Sequence, residues 1–241
     1  VKNYLKVAAI ILMTLVLGIP TFVINLFDAP GKFHSWIIRK WSQLLLWVSG
    51  IRVELQGAEN LQAANPAVII INHESALDIP LVIGGLPVPV RFMAKKELFR
   101  VPIIGWELIL GGHIRIDRAR SERAIRSIAT YAPAIFREKQ NIVVSPEGTR
   151  SRDGKMGPFK KGGFVLAQDF DVPLIPVTIL GSRDRVPNRS YRICTGTVRL
   201  RIDPAVRVSD FADRETCIRA IRDQMIRHRD EYYAQQKEEL C

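Results

Sequence analysis

Cysteine and histidine are scarce in this chain, and their spacing closes off two kinds of chemistry. The three cysteines, Cys194, Cys217 and Cys241, are odd in number, far apart and without a Cys-x-x-Cys pair. They provide neither a disulfide framework nor a zinc site, and they fit a reducing, cytosol-facing compartment. Four histidines leave few ligands for a metal cluster, and Leu77 stands where a His-Glu-x-x-His motif starting at His73 needs its second histidine. No metal and no bound cofactor are expected. A Gly-x-Ser-x-Gly elbow is missing as well, which disfavours a hydrolase-type serine nucleophile, so Ser75 and Ser145 read as turn or cap residues. Internal repeats and low-complexity tracts are absent too.

What is present is size and positive charge. With 241 residues, 47% of them hydrophobic, the chain can form one large α/β domain with a complete core and an appended segment, but not two full domains. A net charge of +11 asks for an anionic partner, nucleic acid or a phosphate-rich membrane surface. The basic residues are spread out without nucleic-acid motifs or interleaved aromatics, so nucleic acid is not expected. The run from Val7 to Phe27 carries no charge and follows Lys2 and Lys6. It is longer than the apolar core of a signal peptide and lacks a small-residue cleavage site. At about 1.5 Å per residue it is long enough to cross a hydrocarbon core.

Gly18-Ile19-Pro20 is expected to break that run, and an amphipathic stretch then follows from Lys32 to about Val48, carrying Trp36, Trp41 and Trp47. A broken apolar helix followed by a Trp-rich, Lys/Arg-flanked one predicts a hairpin embedded from one side of a membrane, with the positive end cytoplasmic. A single span is the alternative. Val7, Phe27 and the three tryptophans are the candidate anchor residues. This places an anchoring unit at 1–50, on a cell membrane, with the remaining domain on the cytoplasmic face.

Beyond Gly50 short apolar runs alternate with helical patterns. The prediction for 51–241 is a mixed α/β domain with a largely buried central sheet of about seven strands flanked by helices. Expected strands are 52–56, 67–71, 90–94, 113–117, 142–145, 174–180 and 197–202. Helices are expected after Asp78, near Pro102, at Ser121 and near Gly162. From Asp213 onward Ile218, Ile221, Met225, His228 and Tyr232 recur at spacings of three and four, an apolar stripe on a charged helix in which His228 is a packing residue, not a ligand.

Three constellations carry chemistry. His73 and Asp78 follow the β-branched run Val68-Ile69-Ile70-Ile71, so His73 should emerge at the C-terminal end of a buried strand, where α/β folds place their sites. Five positions on one helix would set the two side chains about 140° apart, so a turn must bring them together. Asp78-Ile79-Pro80 also reads as a helix start with Asp78 as its N-cap. The second constellation is Pro146-Glu147-Gly148-Thr149-Arg150-Ser151, again after an apolar strand, with Arg150 offering a planar fork for phosphate oxygens. Gly154, Gly157, Gly162 and Gly163 with Lys155, Lys160 and Lys161 make the loop after it a flexible basic one. The third is His113-Ile114-Arg115-Ile116-Asp117-Arg118, preceded by Lys95-Lys96-Glu97-Leu98; alternation separates His113, Arg115 and Asp117 from Ile114, Ile116 and Arg118.

Asn-His-x-x-x-x-Asp at 72–78, Lys-Lys-Glu-Leu at 95–98 with Ile-Asp-Arg at 116–118, Pro-Glu-Gly-Thr-Arg-Ser at 146–151, and Val-Pro-Leu-Ile-Pro-Val at 172–177 occur in one order. In that order they resemble the glycerolipid acyltransferases, and most of all the 1-acylglycerol-3-phosphate (lysophosphatidate) acyltransferases. The resemblance implies acyl transfer from acyl-CoA or acyl-carrier protein to the sn-2 hydroxyl of lysophosphatidate at an anionic membrane surface. It implies His73 as general base and Asp78 as its support. It implies an acceptor site at Arg118, Glu147, Gly148, Thr149 and Arg150, with Lys95 or Lys96 reaching the phosphate or a developing oxyanion. Pro173 and Pro176 take an architectural or acyl-binding part. A thioester is already activated, so general-base removal of the hydroxyl proton suffices and no protein nucleophile is needed. Other lysophospholipids, a lyso-amino-lipid or glycerol 3-phosphate are alternative acceptors, and a non-catalytic phospholipid-binding protein is the alternative from another class.

Overall fold

The computed structural model describes residues 2–28, 32–117, 120–151, 153–187, 190 and 192–238. Two helices, α1 (Lys2–Asp28) and α2 (Lys32–Ser49), precede β1 (Ile51–Gln56), α3 (Glu59–Ala63), β2 (Val68–Ile71), α4 (Asp78–Gly85) and β3 (Val90–Lys95). Then follow α5 (Ile104–Leu110), β4 (Ile114–Ile116), α6 (Ser121–Arg137), β5 (Asn141–Val144), α7 (Gly162–Asp169), β6 (Leu174–Leu180), α8 (Ser182–Arg185), β7 (Gly196–Ile202) and α9 (Arg214–Glu238). The seven expected strands are all present, each within one residue of its predicted ends. The short helices α3 and α8 were not anticipated, because five and four residues are too few to display an apolar period.

The strands form one sheet in the order β1-β7-β6-β2-β5-β3-β4. From β6 to β4 all neighbours are parallel; β7 runs antiparallel to β6, and β1 pairs parallel with β7. Parallel strands are covered on both faces, which is why every side chain of β2, β5 and β6 is buried. Alternation divides the core in two. Ile69, Ile71, Val143, Ile175 and Val177 join Leu45 and Leu46 of α2 and Leu81 and Val82 of α4 on one face. On the other, Val68, Ile70, Ile142 and Val144 join α7 and the stripe Ile218, Ile221 and Met225 of α9. His228 and Tyr232 continue that stripe and are buried, as expected of packing residues.

The N-terminal helices form an antiparallel pair. Lys6 Nζ donates to the Ser49 carbonyl at 3.0 Å and Trp41 Nε1 to Thr14 Oγ1 at 3.3 Å, so one helix ascends while the other descends. Contrary to the expected break at Gly18-Ile19-Pro20, α1 runs on through Pro20; the missing N–H of one proline removes a rung of the helix without ending it. The inner face of the pair, with Ile10, Met13 and Trp41, packs onto the core, and Gln43 Nε2 donates to the Gly84 carbonyl of α4 at 3.1 Å. A Cβ on Gly84 would lie 3.2 Å from Ser42 Cβ, so α2 and α4 meet almost backbone to backbone. Among the described residues no helix is long and apolar enough to cross a membrane.

Candidate active site

The C-terminal ends of four parallel strands carry the site. Ile70 pairs with Val144, Phe92 with Val143 and Lys95 with Ile116, so the ends of β2, β5, β3 and β4 lie side by side, and His73, Glu147, Lys96 and Asp117 follow those four ends as a row along the sheet edge. Beyond β2 the chain turns into α4, the helix whose first residue is Asp78. Three sequence constellations thus meet along one line at the C-terminal edge of the parallel strands.

His73 Nδ1 lies 2.7 Å from Asp78 Oδ2. The same oxygen accepts the backbone N–H groups of Glu74 at 2.8 Å and Ser75 at 2.9 Å. The connecting turn is set by Ser75, whose Oγ donates to the Val186 carbonyl and accepts the Leu77 N–H, so Ser75 is the turn residue the sequence suggested. Ser145 opens a different turn, its carbonyl accepting the Gly148 N–H, while its buried hydroxyl caps nothing. Asp78 departs from the capping role. It is the first residue of α4, with Leu77 in the cap position, and its carboxylate turns back onto the preceding turn while Oδ1 is buried without a hydrogen bond. With Leu77 in the cap position and the carboxylate drawn back by the imidazole and two loop N–H groups, no side-chain bond caps the helix start.

Asp78 is fully buried, whereas the His73 side chain is 23% exposed, and its Nε2 makes no hydrogen bond with the described residues. A carboxylate on Nδ1 selects the tautomer that leaves Nε2 as acceptor and stabilises the imidazolium once a proton arrives. Glu74, next in sequence, is buried and its carboxyl is pushed up to about 7, first by desolvation and then by the charge of Asp78.

The backbone of His73 is held from two sides. Its N–H donates to Glu147 Oε1 at 3.0 Å and its carbonyl accepts the Ser151 N–H at 2.8 Å. Glu147 Oε2 takes the Gly157 N–H at 2.8 Å, so both oxygens of this buried carboxylate serve the backbone. Burial raises the Glu147 carboxyl above the usual range, and the two N–H donors pull it back. Sequence reasoning placed Glu147 with the acceptor phosphate; its geometry makes it the tie between the two motif loops. The following loop is joined to α9 at three carbonyls. Arg222 of α9 donates to the carbonyls of Met156 and Gly157, and Arg229 to that of Gly154. Those two arginines lie two helical turns apart beside the α9 stripe, a spacing that could have flagged them.

Asn72, read from sequence only as part of the motif, extends β2 with its side chain. Oδ1 accepts the Ile179 N–H at 2.7 Å and Nδ2 donates to the Ile179 carbonyl at 3.0 Å, so the amide stands in for a strand residue. On the other flank Lys96 Nζ donates to Asp117 Oδ2 at 2.8 Å, joining the Lys-Lys-Glu-Leu and Ile-Asp-Arg motifs. Lys95 instead faces Glu97 at 3.7 Å and is half exposed. Thr149 and Arg150 are exposed on the turn that follows Glu147. Gly148 has a φ of +73°, and a Cβ there would lie 3.0 Å from Lys160 Nζ, which places that ammonium over the same turn. Arg118 lies outside the described residues.

Pro176 sits lower, paired with Ile70, and lies where β6 begins to meet β7: its carbonyl accepts the Asp203 N–H, and the reciprocal bond is the one a proline cannot make. Pro173 caps the same strand by accepting the Val68 N–H. Both prolines thus lend their carbonyls to the sheet. Of the anchor candidates, Trp36 and Trp47 are exposed at 55% and 76%. Trp41 is turned inward on Thr14 and Val7 is half-buried; the side chain of Phe27 lies outside the described residues.

The Acyltransferase family model matches residues 52–180, more than half of the chain and every motif described above. A chloroplastic 1-acyl-sn-glycerol-3-phosphate acyltransferase, BAT2, of Brassica napus is 33% identical over 197 residues, which is 80% of this chain and 56% of that protein. The chain therefore spans little more than half the length of that relative. The 1-acyl-sn-glycerol-3-phosphate acyltransferase beta of Homo sapiens is 32% identical over 194 residues, 78% of this chain and 68% of the relative. Among solved structures, the 1-acyl-sn-glycerophosphate (LPA) acyltransferase PlsC from Thermotoga maritima superposes with a TM-score of 0.75 at 25% identity, covering 95% of this chain and 98% of that one.

Proposed function

The chain belongs to the acyltransferase family, and on that premise we propose that it esterifies the sn-2 hydroxyl of lysophosphatidate with a fatty acyl group from acyl-CoA or acyl-carrier protein, giving phosphatidate. The observation that carries the reading is the His73 Nδ1 to Asp78 Oδ2 contact of 2.7 Å on a partly exposed imidazole at the C-terminal edge of the sheet. Nε2 removes the hydroxyl proton as the oxygen attacks the thioester carbon. The tetrahedral intermediate then collapses with cleavage of the C–S bond. The proton passes from the imidazolium to the departing sulfur, so thiol and ester are the only products. Lys96, Arg150 and Lys160, with Arg118 by resemblance, supply cations for the acceptor phosphate along the same edge.

Both substrates with long acyl chains favour a bilayer, at about 0.8 kcal/mol per buried methylene, so an enzyme seated on the membrane avoids extracting them. The outer face of α1 supports such a seat: Tyr4, Leu5, Ile11, Leu12, Leu15 and Val16 are all exposed. We place the helical pair in one leaflet of a cell membrane with the catalytic domain on the cytoplasmic, lysine-flanked side.

Purified protein in liposomes should release free thiol from acyl-CoA only when lysophosphatidate is supplied, and His73→Ala should lower that rate by about 10³-fold or more. Undiminished turnover in His73→Ala would sink the base assignment. A panel of lysophospholipids, a lyso-amino-lipid and glycerol 3-phosphate in place of lysophosphatidate tests the acceptor.

A further inference from the structure

We infer that residues 98–109, between β3 and β4, form a second membrane-contacting surface, one that beds into the interfacial region of an anionic phospholipid bilayer. The inference rests on the reading that the N-terminal helical pair sits in a leaflet. Leu98, Val101, Ile104, Trp106 and Ile109 are exposed at 42%, 40%, 51%, 43% and 59%. Single exposed apolar residues are ordinary on a protein surface, whereas five large ones within one short segment are not.

The segment is built, not loose. A Cβ on Gly105 would lie 2.4 Å from the Phe99 carbonyl oxygen, so α5 is pressed onto the turn before it. Ile103 holds φ at +67° and ψ at −59°, the centre of a γ-turn in which the Ile104 N–H donates to the Pro102 carbonyl, a conformation costly for a β-branched residue. Backbone bonds from Val101 to Leu98 and from Gly105 to Val101 close the same turn. The fold therefore commits structure to presenting these side chains outward.

Two observations name the occupant. First, α5 packs against α1, so its outer face adjoins the apolar outer face of the helical pair. Second, the rim carries Lys95 and Arg100 against Glu97, two cations to one anion, on a chain whose total charge is +11. The segment also connects Lys96 to Asp117 in sequence, so laying it on the head groups brings that end of the active-site row to the surface where a phosphate-bearing acceptor resides.

The test uses tryptophan quenching by brominated phospholipid in phosphatidylglycerol-containing vesicles. One variant carries Trp36→Phe, Trp41→Phe and Trp47→Phe and reports Trp106; a second carries Trp106→Phe and reports the helical pair. Bromolipid should quench both and acrylamide should reach neither. Quenching of the helical pair with Trp106 open to acrylamide overturns this inference alone, whereas loss of both signals overturns the membrane seat as well. Shielding of Trp106 from acrylamide without bromolipid quenching assigns the surface to a protein partner, a second copy included, and also overturns it. Should the triple variant fold poorly, a nitroxide on Ile109→Cys gives the same answer, being accessible to oxygen and shielded from a water-soluble nickel chelate. In Ile104→Ser/Ile109→Ser, KM for bilayer-presented acceptor should rise about tenfold while turnover of a short-chain soluble acceptor is unchanged.

Discussion

Among the described residues two histidine–aspartate pairs stand at different places in this fold, and they differ in exposure and in what holds the carboxylate. His73 and Asp78 are 2.7 Å apart, with the imidazole 23% exposed and the carboxylate oxygen shared with two loop N–H groups. His228 of α9 and Asp203, just after β7, are 3.4 Å apart and both buried, and Asp203 Oδ2 makes no hydrogen bond. An ion pair raises its histidine and lowers its carboxyl. Here burial does the reverse to each: His228 is pushed down to about 4 and Asp203 up to about 6. A base therefore needs more than an acidic neighbour. It needs a carboxylate whose charge is already held by fixed N–H donors, and a second ring nitrogen left open.

The strongest way to break the comparison is to remove that fixed charge. Asp78→Asn keeps the shape of the turn but presents an amide to the imidazole and to two N–H groups that need an acceptor. The wrong tautomer and the lost imidazolium support should lower kcat by about 10³-fold, with KM for acceptor changed little. Acyl transfer in liposomes measures it. A loss of less than tenfold would place His73 on the same footing as His228.

Glu147→Gln comes next. Its two oxygens face the N–H groups of His73 and Gly157, so an amide must turn its own N–H₂ toward one of them. An unsatisfied buried donor is worth about 1–3 kcal/mol, which corresponds to a fall in kcat of roughly ten- to a hundredfold if the His73 backbone shifts. A group that binds the acceptor directly would instead raise KM. The split between kcat and KM thus decides between a tie and a ligand.

Much of this was legible before the structure, for physical reasons that differ from residue to residue. The β-branched run before His73 declared a buried strand, and a parallel sheet then fixes which strand ends share an edge. The row joining His73, Glu147, Lys96 and Asp117 needed the register, which no local pattern carries. Asn72 and Glu147 gave no sign of their backbone partners, because a side chain that satisfies backbone groups looks, in sequence, like one that meets a ligand. Asp78 kept its acidic identity and lost the cap, since the tightness of the turn after Ser75 decides where its carboxylate points. Arg222 and Arg229 act from the far end of the chain, beyond the residues that the family match covers.

The smallest effect on turnover belongs to the second pair, and its pH dependence sharpens the contrast. His228 titrates lower in the folded chain than its ordinary 6.5, so the unfolded chain binds the extra proton between about 4 and 6.5 and this group makes stability rise with pH through that window. Asp203 titrates higher than its ordinary 3.8, so the folded chain holds the extra proton and stability falls as pH rises from about 3.8 to 6. The two slopes oppose each other over nearly the same range and should largely cancel in the parent protein. Asp203→Asn leaves the histidine alone and should show stability climbing by on the order of 1–2 kcal/mol from pH 4 to 6.5, read from urea midpoints. His228→Gln should show the opposite slope. Both variants should keep acyl transfer within about twofold, because neither residue reaches the row at the sheet edge. If Asp203→Asn shifted the pH–rate profile as Asp78→Asn should, the two pairs would be coupled, and the distinction drawn from burial and N–H support would fail.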